Sequence, residues 1–271
     1  FDVEWLKTAK DSVKVTMPSS AQLRETDFSQ LMVATRSLSL ESNHQITLDL
    51  SGTRAEGVDI KGLEGSSYVG FCGGSNRENG IKNVSEFRLP QGITQIMNRA
   101  FAYSDYTKIV VPASLKQIAG SPSNGCDKMV WEMAPGNKSF KSDDKGALYN
   151  FDMTTLMVLN GGSGSAYTIH DGTTTIREWA LYENSVIESL TIPASVTTLS
   201  ADCISGTSKL TTITCLGTTP AAIKANTGAN RVGPKDKVKT LYVPRGCVDA
   251  YKTAWKVLLD EENWEVKEIV K

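Results

Sequence analysis

The sequence predicts a repeat solenoid, strand-rich within the α/β class and wound as a right-handed superhelix or horseshoe, with capping units at both ends. Two observations carry this. The first is a short alternating apolar run closed by proline, seen as Phe87-Arg-Leu-Pro90, Ile109-Val-Val-Pro112, Leu190-Thr-Ile-Pro193 and Leu241-Tyr-Val-Pro244. Tyr167-Thr-Ile-His170 and Ile213-Thr-Cys-Leu216 occupy the same phase in degenerate form. The second is the spacing: anchors at 90, 112, 135, 170, 193, 216 and 244 lie 22, 23, 35, 23, 23 and 28 residues apart. A period near 23 marks stacked supersecondary units.

Within each unit the apolar positions recur as well. Ile93 and Ile96, Leu115 and Ile118, Val196 and Leu199 fall three and six places after the anchor, with Thr173 and Ile176 a weaker pair. Ala100-Phe101, Ala180-Leu181 and Cys203-Ile204 follow ten and eleven places after it. Each unit then reads as a strand, a turn and a second short extended or helical piece, too small to bury its own apolar side; stacked copies bury each other. Alternation in the strand turns Leu190 and Ile192 inward and Ser189 and Thr191 outward. Proline lacks a backbone donor, which suits a strand end. In this phase the outward face contains Glu86, Arg88, Lys108, Val110, Ser189, Thr191, Thr212 and Thr214, the candidate binding residues. Two units depart from the pattern. Ser121-Pro122-Ser123 replaces the apolar knob, and Met129, Trp131 and Met133 run one residue out of phase before Pro135, which predicts a bulged or re-registered strand.

The segments Ser189 to Leu199 and Leu89 to Phe101 resemble the BspA-like, or Treponema-type, leucine-rich repeat, and Asn124-Gly-Cys126 resembles its Gly-Cys turn. The stretch from Asn137 to Leu159, with Phe140, Gly146-Ala-Leu-Tyr149 and Thr155-Leu156, resembles that family's longer, insert-bearing repeat. The resemblance covers the chain from about Ser85 onward and only loosely the first 80 residues. It implies a leucine-rich-repeat solenoid on an exported bacterial surface protein, tied to adhesion or host contact.

The expected organisation is therefore a divergent capping region at 1–80, repeats at 81–244 with the insert-bearing repeat at 136–170, and a helix-strand cap at 245–271. In the first region Val13 to Met17 and Ile46 to Leu50 alternate as strands around a short helix near Ala21 to Ala34, marked by Leu23, Phe28, Leu31 and Met32. A separate small domain is the alternative there. At the other end Val248, Tyr251, Trp255 and Leu258 share one helical face, and Trp264, Val266 and Ile269 follow as a last strand. Surface loops are expected at Cys72 to Gly80, Asn160 to Ser165 and Asn226 to Lys239.

Composition excludes several functions. The 29 basic and 30 acidic residues leave a net charge of -1, so no overall field attracts nucleic acid. No window reaches the roughly 18 consecutive apolar residues of a spanning helix. The chain begins at Phe1, which fits a mature or trimmed form, and the expected location is extracellular, at a bacterial surface, with a possible lipid anchor upstream as in an outer-membrane lipoprotein. Five cysteines without a C-x-x-C pair argue against zinc. A Cys203–Cys215 bridge is left open.

Reactive groups are sparse. The two histidines, His44 and His170, fall in a polar turn and at an anchor position. Gly161-Gly-Ser163-Gly-Ser165 lacks the closing glycine of a nucleophile elbow, and no histidine is placed to activate Cys72. Asp143-Asp144-Lys-Gly146 lacks the ligand spacing of a calcium loop, so a solvated turn is the better reading. Asp260-Glu-Glu262 reads as a charged surface run. Arg231, Lys235, Lys237 and Lys239 form one basic patch, without the interleaved aromatics of a single-strand binder. No cofactor or metal is expected. The sequence thus favours a non-catalytic, monomeric recognition, adhesion or scaffold module for an unknown protein or glycan, host-derived in the adhesion case. The alternatives are a hydrolase with its site on the N-terminal region or insert, and a structural spacer.

Overall fold

The computed structural model describes residues 13–19, 21–24, 26–27, 30–31, 35, 45–55, 58, 78, 80–224, 232–234, 236–261 and 263–270. His44, Cys72, Arg231, Lys235, Phe28, Met32, most of the 72–80 loop and half of the 226–239 loop lie outside these residues. The chain divides into two compact units, residues 1–142 and 143–271, a division inside the insert-bearing stretch.

The first unit contains β1 (Val13–Thr16), β2 (Ile46–Asp49), β3 (Val84–Arg88), β4 (Gln95–Ile96), β5 (Lys108–Val111), β6 (Gln117–Ile118), β7 (Val130–Met133) and β8 (Phe140–Ser142). Its main sheet is parallel, ordered β1-β2-β3-β5-β7. Between β3 and β5 the chain leaves the sheet, passes through β4 and returns one strand further on; β6 repeats the excursion and pairs with β4. That is the coil of a β-solenoid. The second piece of each repeat is thus extended. The register stacks Val15, Leu48, Phe87, Ile109 and Trp131 in one buried column. Phe101 meets Tyr106 and Trp131 edge-on at 5.9 Å each. β1 and β2 continue the ladder of the repeats, and Thr26, Asp27, Gln30, Leu31 and Thr35 between them are helical.

The strand at 130–133 is regular. Val111 pairs with Met133, so Ala134, not Pro135, stands opposite Pro112. The proline is displaced by one residue and the apolar alternation keeps its phase, which makes a bulge unnecessary. A register irregularity occurs instead between β2 and β3, where Ile46 pairs with Val84 and Thr47 with Glu86.

The second unit contains β9 (Leu148–Asn150), β10 (Thr155–Val158), β11 (Ala166–Thr168), β12 (Thr175–Ile176), β13 (Ser189–Ile192), β14 (Thr198–Leu199), β15 (Thr212–Cys215), β16 (Ala222–Ile223), β17 (Lys239–Val243), α1 (Val248–Ala254), α2 (Lys256–Glu261) and β18 (Trp264–Glu268). A parallel sheet ordered β11-β13-β15-β17-β18 forms one wall. Within this unit a second wall runs β16-β14-β12-β10-β9, with β9 pairing antiparallel to β10. Tyr167, Leu190, Ile213, Leu241 and Val266 align across the first wall, the first four buried and Val266 packed against the same core. α1 lays Tyr251 and Trp255 on this core. The Tyr251 hydroxyl donates to Gly217 O at 2.8 Å, and Trp255 Nε1 donates to Ala221 O at 2.9 Å.

One corner position repeats in both units, fourteen residues after the anchor: Ser104, Cys126, Asn184 and Thr207, all buried. Each satisfies backbone groups that the turn strands inside. Asn184 does most, donating to Leu159 O at 3.0 Å and accepting from Val186 N and Ile187 N. The residue before it is left-handed in every copy, with φ of 57° at Tyr103, 69° at Gly125, 56° at Glu183 and 75° at Gly206. At Gly125, itself left-handed, a Cβ would run into the Tyr103 ring of the preceding turn, so only glycine fits there.

Asn184→Ala leaves three backbone groups unmatched, two of them buried, and should cost about 3 kcal/mol, against about 1 kcal/mol for Thr207→Ala, which loses one hydroxyl bond. Urea unfolding measures both; equal losses would show that the corner side chains do not carry these bonds.

Candidate functional site

Parallel pairing in register means that outward side chains, like inward ones, fall into straight rows. In the first unit these rows are charged. Glu86 and Arg88 lie on β3, Lys108 and Val110 on β5, Val130 and Glu132 on β7. The charges neutralise one another: Arg88 to Glu86 at 2.6 Å, Lys108 to Glu132 at 2.9 Å and, at the β1 edge, Lys14 to Asp49 at 2.8 Å. Burial pushes the Asp49 carboxyl up, but hydrogen bonds from Lys14 and Ser51 outweigh it and hold the group below its ordinary value. Val110 does not offer a contact. It stands between Arg88 and Glu132 in the register and is only 7% exposed, because its longer neighbours cover it.

In the second unit the corresponding rows are hydroxylic. One runs Ser189, Thr212, Thr240 after Ala166 on β11, and the other runs Thr168, Thr191, Thr214, Tyr242. None of these seven hydroxyls makes an intramolecular hydrogen bond among the described residues, although Tyr242 lies within the field of Lys267. Charge enters only on β18, where Lys267 and Glu265 pair at 2.8 Å.

A further feature escaped the sequence reading. Thr154-Thr155, Thr174-Thr175 and Thr197-Thr198 occur at one phase of the repeat and stack on the second wall. The signal was present as a doublet before Leu156, Ile176 and Leu199. Thr174 and Thr197 donate to the carbonyl of the preceding doublet, at 3.2 and 3.4 Å, and so act in the ladder itself.

The residues weighed for chemistry are dispersed. Ser163 sits in a 3-10 turn, Gly161–Ser163, and is buried together with Asn160 and Gly161, so this stretch is not the open surface loop expected. His170 is exposed at its anchor position, and its ring faces Tyr149 edge-on at 6.2 Å. Asp143 has a structural task. Its carboxylate accepts from Lys145 N, Ala147 N and the Tyr167 hydroxyl, and Tyr167 in turn meets Tyr149 at 2.8 Å, fastening the insert to β11. Lys239 leaves the expected basic patch: it is fully buried, its ammonium 5.7 Å from the centre of the Trp264 ring. Lys237 is exposed. Cys126, Cys203, Cys215 and Cys247 are free thiols, so the Cys203–Cys215 bridge does not form. Among the described residues no three His, Cys, Asp or Glu side chains converge as metal ligands, and no helix is long and apolar enough to cross a membrane.

The profile of the BspA type leucine rich repeat region matches residues 78–130 and 149–225, in six copies. Coil, register and matched repeats together define a leucine-rich-repeat solenoid. Within the matched residues the repeats are of the BspA type. Similar solved structures include a leucine-rich repeat protein from Eubacterium ventriosum, 16% identical with a TM-score of 0.46 over 88% of this chain and 70% of the other. The pneumococcal vaccine antigen PcpA is 15% identical with a TM-score of 0.39, over 95% and 79%. A leucine rich cell surface protein from Faecalibacterium prausnitzii is 11% identical with a TM-score of 0.42, over 96% and 89%. No curated protein matches the chain.

Burial raises the thiols of Cys203 and Cys215 to about 12, which keeps both protonated and poorly nucleophilic at neutral pH. Iodoacetamide at about pH 8 should leave both unlabelled in the folded protein and label both in urea. Burial likewise raises Tyr149, Tyr167 and Tyr251. Groups whose folded values lie above the unfolded ones stabilise below the unfolded values and cease to do so as pH rises through the folded ones. The urea midpoint of the second unit should therefore fall between about pH 8 and about pH 11, and less steeply in Cys203→Ala, Cys215→Ala. A flat profile would contradict the burial of these groups.

Proposed function

We propose that this chain is a non-catalytic recognition or adhesion module of a bacterial cell surface, which binds a protein or glycan ligand through the outward face of its parallel sheets. One observation carries the reading: the outward rows of the second unit hold seven hydroxyls that make no hydrogen bond to the described residues of the protein. The core does not need these side chains, so they are free to serve recognition. The proposed contact residues are Glu86, Arg88 and Lys108 in the first unit and Ser189, Thr191, Thr212 and Thr214 in the second. In this reading the solenoid is displayed at the outside of the cell.

The test is a binding screen of the purified chain against host matrix proteins and glycans, repeated with Arg88→Glu, Lys108→Glu and Thr191→Arg. At least one variant should bind its ligand about tenfold more weakly while its urea midpoint moves by less than the equivalent of about 1 kcal/mol. Full affinity in all three would remove the outward face as the contact surface.

A further inference from the structure

We infer that the outward face of the second unit takes a neutral polysaccharide, a chain of sugars bearing hydroxyls and no formal charge. This rests on the recognition reading above and narrows it to one ligand class and one unit. Eight outward positions lie on β11, β13, β15 and β17, and not one is charged, although 22% of the whole chain is. Strand propensity accounts for threonine at such sites, since its branched side chain suits a pleated surface. It does not account for the missing Lys, Glu, Arg and Asp, which the outward face of the first unit uses freely.

Charge and hydrogen-bond character together select the ligand. Anionic groups such as phosphate, sulfate or carboxylate are recognised by Arg or Lys. Here the two cations beside the face are already engaged: Lys145 at the β11 edge donates to Ala166 O at 3.4 Å, and Lys267 on β18 is held by Glu265 at 2.8 Å. A protein partner is anchored by a cluster of buried aromatic and Arg side chains. This face offers a single aromatic, Tyr242. What it offers in number is hydroxyls, each both donor and acceptor, able to meet sugar hydroxyls in either sense.

The geometry also suits a polymer. Sheet spacing sets the hydroxyls on a lattice of about 4.8 Å between strands and about 6.7 Å along them. Threonine is stiff at χ1, so holding the lattice in place costs little entropy when a ligand arrives. Single contacts are weak, but a repeating chain laid on a repeating surface engages several at once, and affinity grows with the number engaged.

The experiment is affinity electrophoresis of the full chain in gels carrying neutral polysaccharides (dextran, yeast mannan, hydroxyethylcellulose) or acidic ones (hyaluronan, polygalacturonate), beside solid-phase binding to matrix proteins. At least one neutral polymer should retard the protein, with affinity changing less than about twofold between about 50 and 500 mM NaCl, since no counterions are displaced. The triple variant Thr191→Val, Thr212→Val, Thr214→Val keeps the branching and removes the hydroxyls; it should lose at least about tenfold in affinity with an unchanged urea midpoint. Thr155→Val, Thr175→Val, Thr198→Val on the second wall should bind as the parent does. Binding confined to acidic polymers or to proteins overturns the inference and leaves the recognition module standing. Neutral-polymer binding that survives the first triple variant also overturns it. Binding to nothing in either panel removes both.

Discussion

Everything in this structure depends on stacking in parallel register. A unit of about 23 residues has too little apolar surface to fold alone, and it becomes stable only when its inward residues meet those of the next turn. The requirement is strict because strand side chains alternate with a period of two, so that a slip of one residue would turn every core side chain to water. Columns such as Val15, Leu48, Phe87, Ile109, Trp131 and Tyr167, Leu190, Ile213, Leu241 are the result. The outward rows are its by-product. The same register that aligns the core lines up whatever the sequence places on the other side.

The repeat phase was legible because it is written in residues whose physical roles are one-sided: apolar side chains that must go in, and prolines that end strands. The helical stripe of Tyr251, Trp255 and Leu258 was legible for the same reason, since its spacing of three and four leaves one packing face. Reading failed where a residue's role depends on its neighbours in space. Pro135 misled because a proline can follow a strand at either of two positions, and only the pairing of Val111 with Met133 decides. Val110 was outward in phase, but exposure depends on the length of the side chains beside it. Lys239 looked like a surface cation until the Trp264 ring was placed next to it. The Gly161–Ser163 turn has a loop-like composition, yet Ser163 is buried.

The candidate site was half legible. Sequence phase placed Ser189, Thr191, Thr212 and Thr214 on one face, and the structure extends those rows to Thr168, Thr240 and Tyr242. The two units differ in a way that a residue list could not reveal. Charges in the first unit satisfy each other across and along strands, which leaves little unspent interaction; exposed pairs of this kind contribute under about 1 kcal/mol each. Hydroxyls in the second have no such partners. The faces are built on one plan and present opposite chemistries.

The left-handed corner constrains how such a protein can change its length. Tyr103 overlies Gly125, and Glu183 overlies Gly206, so a bulky residue in one turn faces a glycine in the next. A second copy of the Tyr103 or Glu183 turn set beside the first would bring bulk against bulk at this corner, whereas a second copy of the glycine-bearing turn would not. The corner therefore accepts a longer solenoid through the turn that carries glycine and resists it through the turn that carries the bulky residue.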